Sequence, residues 1–127
     1  MTFPFDPRQS FIIVHAKLEG PSGEAILRLA LDTGATSTLI NAGLLVSLGY
    51  DPSLSTYRVQ VTMGSSVEFL PQINVTRLEA LGQDQTNLPI LCHTLPPSAG
   101  VDGLLGLDFL RDQILTLDFR KGKIMLG

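Results

Sequence analysis

Apolar and polar positions alternate with period two along most of the chain, which predicts a succession of short strands. Phe11 to Glu19 reads as a strand, Gly20-Pro21-Ser22-Gly23 as a turn, and Glu24 to Leu31 as its antiparallel partner. In that partner Leu27, Leu29 and Leu31 share one face and Ile26, Arg28 and Ala30 the other, the pattern of a half-buried strand that ends on Asp32. Thr38 to Ile40 predicts a short strand. Asn41 is placed to cap a helix over Ala42 to Leu48, which Gly49 stops. Tyr57 to Met63 and Val67 to Leu70 predict a second hairpin around Gly64-Ser65-Ser66. A third antiparallel pair is expected from Ile73 to Leu81 and Leu88 to Leu95, joined by a polar turn over Gly82 to Asn87.

After the Pro96 to Gly100 loop the pattern changes. Val101 to Gly106 is an apolar strand with two glycines, and Leu107 to Asp112 fits a short helical segment. Ile114 to Phe119 and Lys123 to Leu126 flank a last turn at Arg120 to Gly122. A hairpin, an apolar strand and a glycine-containing loop thus occur once around Asp32 and again around Gly103 to Leu110, a faint internal repeat. The reading is an all-β chain, mainly strands with one or two short helices: a leader over residues 1–10 and a single domain over 11–127.

Composition narrows the function. The 127 residues are 44% apolar, with 12 Gly and 8 Pro, which suits one domain of short strands and tight turns. A formal charge of −3 argues against the phosphate attraction on which nucleic-acid binding rests. No apolar run reaches membrane-spanning length and the first residues carry no signal-peptide pattern, so a cytoplasmic protein without a membrane partner is expected. The lone Cys92 cannot form an internal disulfide, and Cys92-His93 with the distant His15 lacks zinc-site spacing. Neither a metal nor another cofactor is expected, and His15 reads as a half-buried strand residue.

The candidate chemistry lies in Leu29-Ala30-Leu31-Asp32-Thr33-Gly34-Ala35-Thr36, which sets an acid at the end of an apolar strand and at the mouth of a small-residue loop. Taken alone, Asp32 to Gly34 reads equally well as a capped turn. Downstream stand Leu104-Leu105-Gly106 and Leu107-Asp108-Phe109-Leu110, with the glycine-tipped hairpin in between, and the ordered set of three is far more specific than any one of them.

At these residues the sequence resembles the retropepsin-like aspartic proteases, the single-domain relatives of pepsin, over nearly the whole chain. It is most similar to short bacterial members and to the protease domain of eukaryotic ubiquitin-shuttle proteins, in which a segment like Gly106 to Leu110 closes the domain. The resemblance implies an acid-protease barrel closed by homodimerisation. It makes Asp32 the catalytic acid, Thr33 the hydroxyl that locks the two loops of a dimer together, and Gly34 a backbone contact to substrate. Ala35 and Thr36 follow along the site, and Leu39 and Leu104 line apolar side-chain pockets. The hairpin from about Tyr57 to Leu70 becomes a flap with Met63, Gly64 and Ser65 at its tip. Retroviral members carry an Asp–Arg ion pair where this chain has Thr36 and Leu107, so that pair is absent.

Peptide hydrolysis without a metal or a nucleophilic side chain needs one carboxylate to accept a proton from water and one carboxylic acid to donate to the carbonyl oxygen. Only one Asp-Thr-Gly occurs here, so one complete site requires two chains related by a two-fold axis. The expected function is an aspartic endopeptidase acting on extended polypeptides. A non-catalytic homodimer of the same fold that binds a peptide is the alternative, and a β-barrel module in which Asp32 to Gly34 is only a turn is a third.

Overall fold

The computed structural model describes residues 1–127. Ten strands form: β1 (Thr2–Pro4), β2 (Ile13–Gly20), β3 (Gly23–Leu31), β4 (Leu39–Asn41), β5 (Arg58–Met63), β6 (Ser66–Ala80), β7 (Gln83–His93), β8 (Gly103–Leu105), β9 (Leu115–Asp118) and β10 (Lys123–Leu126). One α-helix, α1 (Ala42–Ser47), follows β4, and 3-10 turns occupy Pro52–Leu54, Pro97–Ala99 and Leu107–Phe109. The all-β expectation with a short helix therefore holds. No helix is long and apolar enough to cross a membrane.

The larger sheet runs β2-β3-β8-β4-β7-β6-β5, and β2 also pairs with β6, which closes six of its strands into a barrel. β5 stays outside the ring, paired only with the first part of β6. This arrangement comes from the 15-residue length of β6: Ser66 to Pro71 pairs with β5, and Gln72 to Ala80 pairs with β7. Two strands expected on either side of Pro71 are thus one. Pro71 lacks an N–H for a ladder, but it sits at the hand-over between partners, opposite Arg58 at the end of β5 and next to Gln72 opposite Leu91.

The turn between β6 and β7 is Leu81-Gly82 alone and not the six-residue loop that its polar sequence suggests. Both residues have positive φ (52° and 71°), as a type I′ hairpin requires. Asn41 closes β4, and no side-chain bond of Asn41 caps α1; its Oδ1 accepts from the Leu95 N–H instead.

The faint internal repeat corresponds to a reciprocal exchange. β8 runs parallel to β3, β4 runs parallel to β7, and β4 and β8 pair antiparallel with each other, Leu39 opposite Leu104 and Ile40 opposite Gly103. Each strand that follows a loop therefore pairs with the other half's hairpin. Gly103 is needed because a Cβ there would run into the Leu39 carbonyl. The main core lies inside the barrel, with Leu18, Leu29, Ile40, Leu45, Leu105 and Phe109 fully buried. His15 is exposed, since its strand neighbours Val14 and Ala16 take the buried face.

The stretch read as a leader contributes β1, which pairs with β10 of the same chain, and the three-stranded sheet runs β1-β10-β9. Cys92 is buried in the core, and burial pushes its thiol up to about 11. Because the thiolate is the reactive form, Cys92 in the native protein is expected not to react with DTNB at pH 8, where the urea-unfolded chain reacts fully. Rapid stoichiometric labelling of the native protein refutes that assignment of the side chain to the core.

Candidate active site

β3 is clamped between β2 and β8, and it delivers Asp32 where both ladders end. The Asp32 N–H donates to the Leu105 carbonyl at 3.0 Å and the Asp32 carbonyl accepts from Ala35 N–H at 3.2 Å. The Gly34 N–H donates to Asp32 Oδ1 at 2.9 Å. A Cβ on Gly34 would stand 3.1 Å from that oxygen, so the glycine lets the backbone approach the carboxylate closely.

Residues 32–38 lie outside the strand ladders; the Leu91 N–H of β7 donates to the Thr38 carbonyl at 2.9 Å, and the chain just beyond β8 holds the residues between. Leu107 N–H donates to the Ala35 carbonyl at 2.8 Å, and Asp108 N–H to the Thr36 carbonyl at 3.2 Å. The loop lies directly on Gly106, where an added Cβ would meet Ser37 C at 2.7 Å and the Ala35 carbonyl oxygen at 2.8 Å. Both downstream glycines are thus points where backbone meets backbone.

A cavity of about 690 Å³ opens over this loop, and Asp32 is the one ionisable side chain lining it. Of the residues singled out in the sequence, Asp32, Gly34, Ala35, Thr36, Leu39, Met63, Gly64 and Leu104 all line it. Thr33 and Ser65 do not; both are exposed. Thr33 lies on the outward side of the loop and Ser65 is the second residue of the hairpin turn, after Gly64 with its φ of 63°. The sequence reading did not name Ser37, Val59, Gln60, Val61, Thr62 and Leu91, which complete the lining. Alternation along β5 marks Val59, Val61 and Met63 as one face, a signal present in the sequence. Leu91 was not recoverable, because its place depends on the register of β7 against β4, Leu39 opposite Leu91.

The β5–β6 hairpin lies over the cavity as a cover. Leu39, Leu70 and Leu91 form a small second core, against which Val59, Val61, Met63, Leu95 and Leu104 pack. The cavity thus has mainly apolar walls, with Gln60 and Thr62 of β5 among them, and a polar floor of Asp32, Thr36 and Ser37. Asp102 accepts the Arg28 N–H at 2.7 Å through Oδ2, which makes it a structural link between β3 and the start of β8. No three or more His, Cys, Asp or Glu residues come together in a group that could hold a metal ion.

A barrel with a hairpin cover, an Asp-Thr-Gly loop at the end of a strand and a reciprocal strand exchange define the retropepsin-like aspartic proteases. The family described as gag-polyprotein putative aspartyl protease matches residues 21–112, and the chain belongs to it. A retropepsin-like aspartic protease from Rickettsia conorii superimposes with a TM-score of 0.72 at 16% identity, over 99% of this chain and 88% of that one. The retroviral protease-like domain of Ddi1 from Leishmania major superimposes with a TM-score of 0.63, also at 16% identity, over 94% of this chain and 90% of that one. At such identity these two likenesses are likenesses of fold. No curated protein matches the sequence.

Proposed function

We propose that this chain is an aspartic endopeptidase in which Asp32 from each of two copies forms a catalytic pair. The observation that carries the reading is the position of Asp32: the one ionisable side chain in a covered, peptide-sized cavity, held by a backbone N–H and backed by small residues. A surface turn has no need of such a cavity, and family membership supplies the reaction class.

In this mechanism the pair shares one proton, since two adjacent carboxylates cannot both ionise at low cost. The ionised carboxylate takes a proton from water as the water oxygen attacks the scissile carbonyl carbon, and the protonated partner gives its proton to the carbonyl oxygen. Collapse of the resulting diol breaks the C–N bond. The nitrogen leaves as an amine with a proton from the pair, the other diol proton returns to it, and the pair regains its starting state. Gly34 offers its backbone carbonyl to an extended peptide, and Ala35 lines the site beside it. The walls formed by Leu39, Leu91 and Leu104 favour large uncharged side chains beside the cleaved bond, because a charged one would lose its hydration there without a partner.

Digestion of a proteome-derived peptide library between pH 3 and 7, together with binding of a statine-containing peptide, tests the reading. Cleavage next to large apolar residues and tight statine binding are the expected results. Peptide binding without cleavage at any of these pH values supports the non-catalytic alternative and overturns the reading.

One half-site per chain also makes activity depend on concentration. Well below the dimer dissociation constant, each tenfold dilution is expected to lower specific activity by about tenfold through mass action. Sedimentation measured beside activity checks this. A monomer with full activity refutes the shared site.

A further inference from the structure

Thr38 is the only polar side chain fully buried in the protein; its hydroxyl and its backbone N–H are directed at the segment after β8, while its carbonyl accepts the Leu91 N–H of β7 at 2.9 Å. Its Oγ accepts the Gly106 N–H at 3.2 Å and donates to Asp108 Oδ1 at 2.8 Å, while its backbone N–H donates to Asp108 Oδ2 at 2.8 Å. Asp108 thus takes both donors of Thr38 on one carboxylate. Its own N–H reaches back to the Thr36 carbonyl at 3.2 Å. The residue brackets Thr36 to Thr38, the end of the loop that begins at Asp32, and Thr36 and Ser37 are part of the cavity floor.

The chemistry demands an acceptor at that place. With Gly106 N–H occupying the hydroxyl oxygen, the hydroxyl hydrogen of Thr38 must go to an acceptor, and so must the Thr38 N–H. A carboxylate offers two oxygens. An amide in the same pose sets one oxygen and one NH2 group there, so one of the two donors would face another donor.

From this geometry we infer that Asp108 is a positioning residue for Asp32: through Thr38 it sets the path of the 32–38 loop and hence the orientation of the Asp32 carboxyl. It does not touch substrate. At the Asp32 end the loop is fixed by the Leu105 carbonyl, and at the Thr38 end by this carboxylate together with the Leu91 N–H, so a displacement at either end moves the reacting group. The inference rests on the protease reading for its effect on rate, but its structural part stands apart from it.

The test compares Asp108→Asn, Asp108→Ala, Thr38→Val and Thr38→Ser. Peptide-hydrolysis kinetics are measured beside a carbon-13 NMR titration of the Asp32 carboxyl and the Gly34 amide resonance. Since a misplacement of about 1 Å can cost about 100-fold in rate, Asp108→Ala is expected to lower kcat by about that factor with KM within about threefold. Asp108→Asn falls between it and the parent protein. Thr38→Ser, which keeps both donors, loses less than Thr38→Val. Combining Asp108→Ala with Thr38→Val is expected to add little to either alone. In the Asp108 variants the Asp32 titration curve and the Gly34 amide shift are both expected to move. An unaltered Asp32 titration and Gly34 amide in folded Asp108→Asn overturns the inference, as does a rate loss that vanishes once corrected for the unfolded fraction. If no variant cleaves peptides and neither does the parent, the protease reading fails, and the NMR comparison still decides the role of Asp108.

Discussion

Asp32→Asn is expected to lose peptide hydrolysis by about 10²- to 10⁴-fold, the range that a positioned acid–base group contributes. The amide matches the carboxylate in shape and retains an oxygen for the Gly34 N–H, which now donates to Asp32 Oδ1 at 2.9 Å. It cannot accept a proton from water, and in a symmetric pair both members lose that capacity together. Fold and assembly should persist, because the backbone bond to Leu105 involves no side-chain atom and Asp32 is only half-buried. Substitutions of this kind usually change stability by no more than about 0.5 kcal/mol. The measurement is kcat/KM on the best library substrate, with melting temperature and sedimentation as controls. A folded Asp32→Asn protein that keeps more than about one hundredth of the activity, the weakest loss in that range, removes Asp32 from the chemistry.

That this carboxyl could be found in the sequence follows from how local its placement is. β3 has a period-two pattern, its partner β2 is one turn away, and the strand ends on Asp32, so nearest-neighbour pairing is enough to place it. The same holds for the β5–β6 hairpin, where alternation and one glycine mark the face and the turn. What could not be read depends on distant pairing. The exchange that sets β8 between β3 and β4 joins residues about 70 positions apart, and no local pattern encodes it. Leu81 illustrates a different limit. It takes a left-handed conformation with φ of 52°, which propensity disfavours, because the registers of β6 and β7 leave only two residues for the turn. The polar run after Gly82 therefore reads as a loop, although Gln83 to Thr86 continue the ladder opposite Arg77 to Ala80. In the sequence Asp108 is one residue of a short helical segment, and its bonds to Thr38 become visible only when β8 is in place.

Gly103→Ala is expected to damage stability and site together, because that exchange leaves no room at the crossing of β4 and β8. An added methyl would run into the Leu39 carbonyl and would stand 3.0 Å from Ile40 Cα. These atoms are backbone, held by pairing to β7 on the far side, so no side-chain rotation relieves the contact. The two strands must separate, at a cost of about 1–3 kcal/mol on the scale of overpacked cores. Leu105, on the same short strand, accepts the Asp32 N–H, so activity should fall further than the folded fraction alone accounts for. The same substitution at Gly43 in α1 supplies the contrast, since nothing lies within 4 Å of a Cβ there. Gly43→Ala is expected to be neutral or to stabilise by up to about 1 kcal/mol, the difference between the two residues in helix propensity. Urea midpoints for the two variants, read beside kcat per folded molecule, make the comparison. Equal midpoints would mean that β4 and β8 do not cross at Gly103, and the coupling from the second half of the chain to Asp32 would go with them.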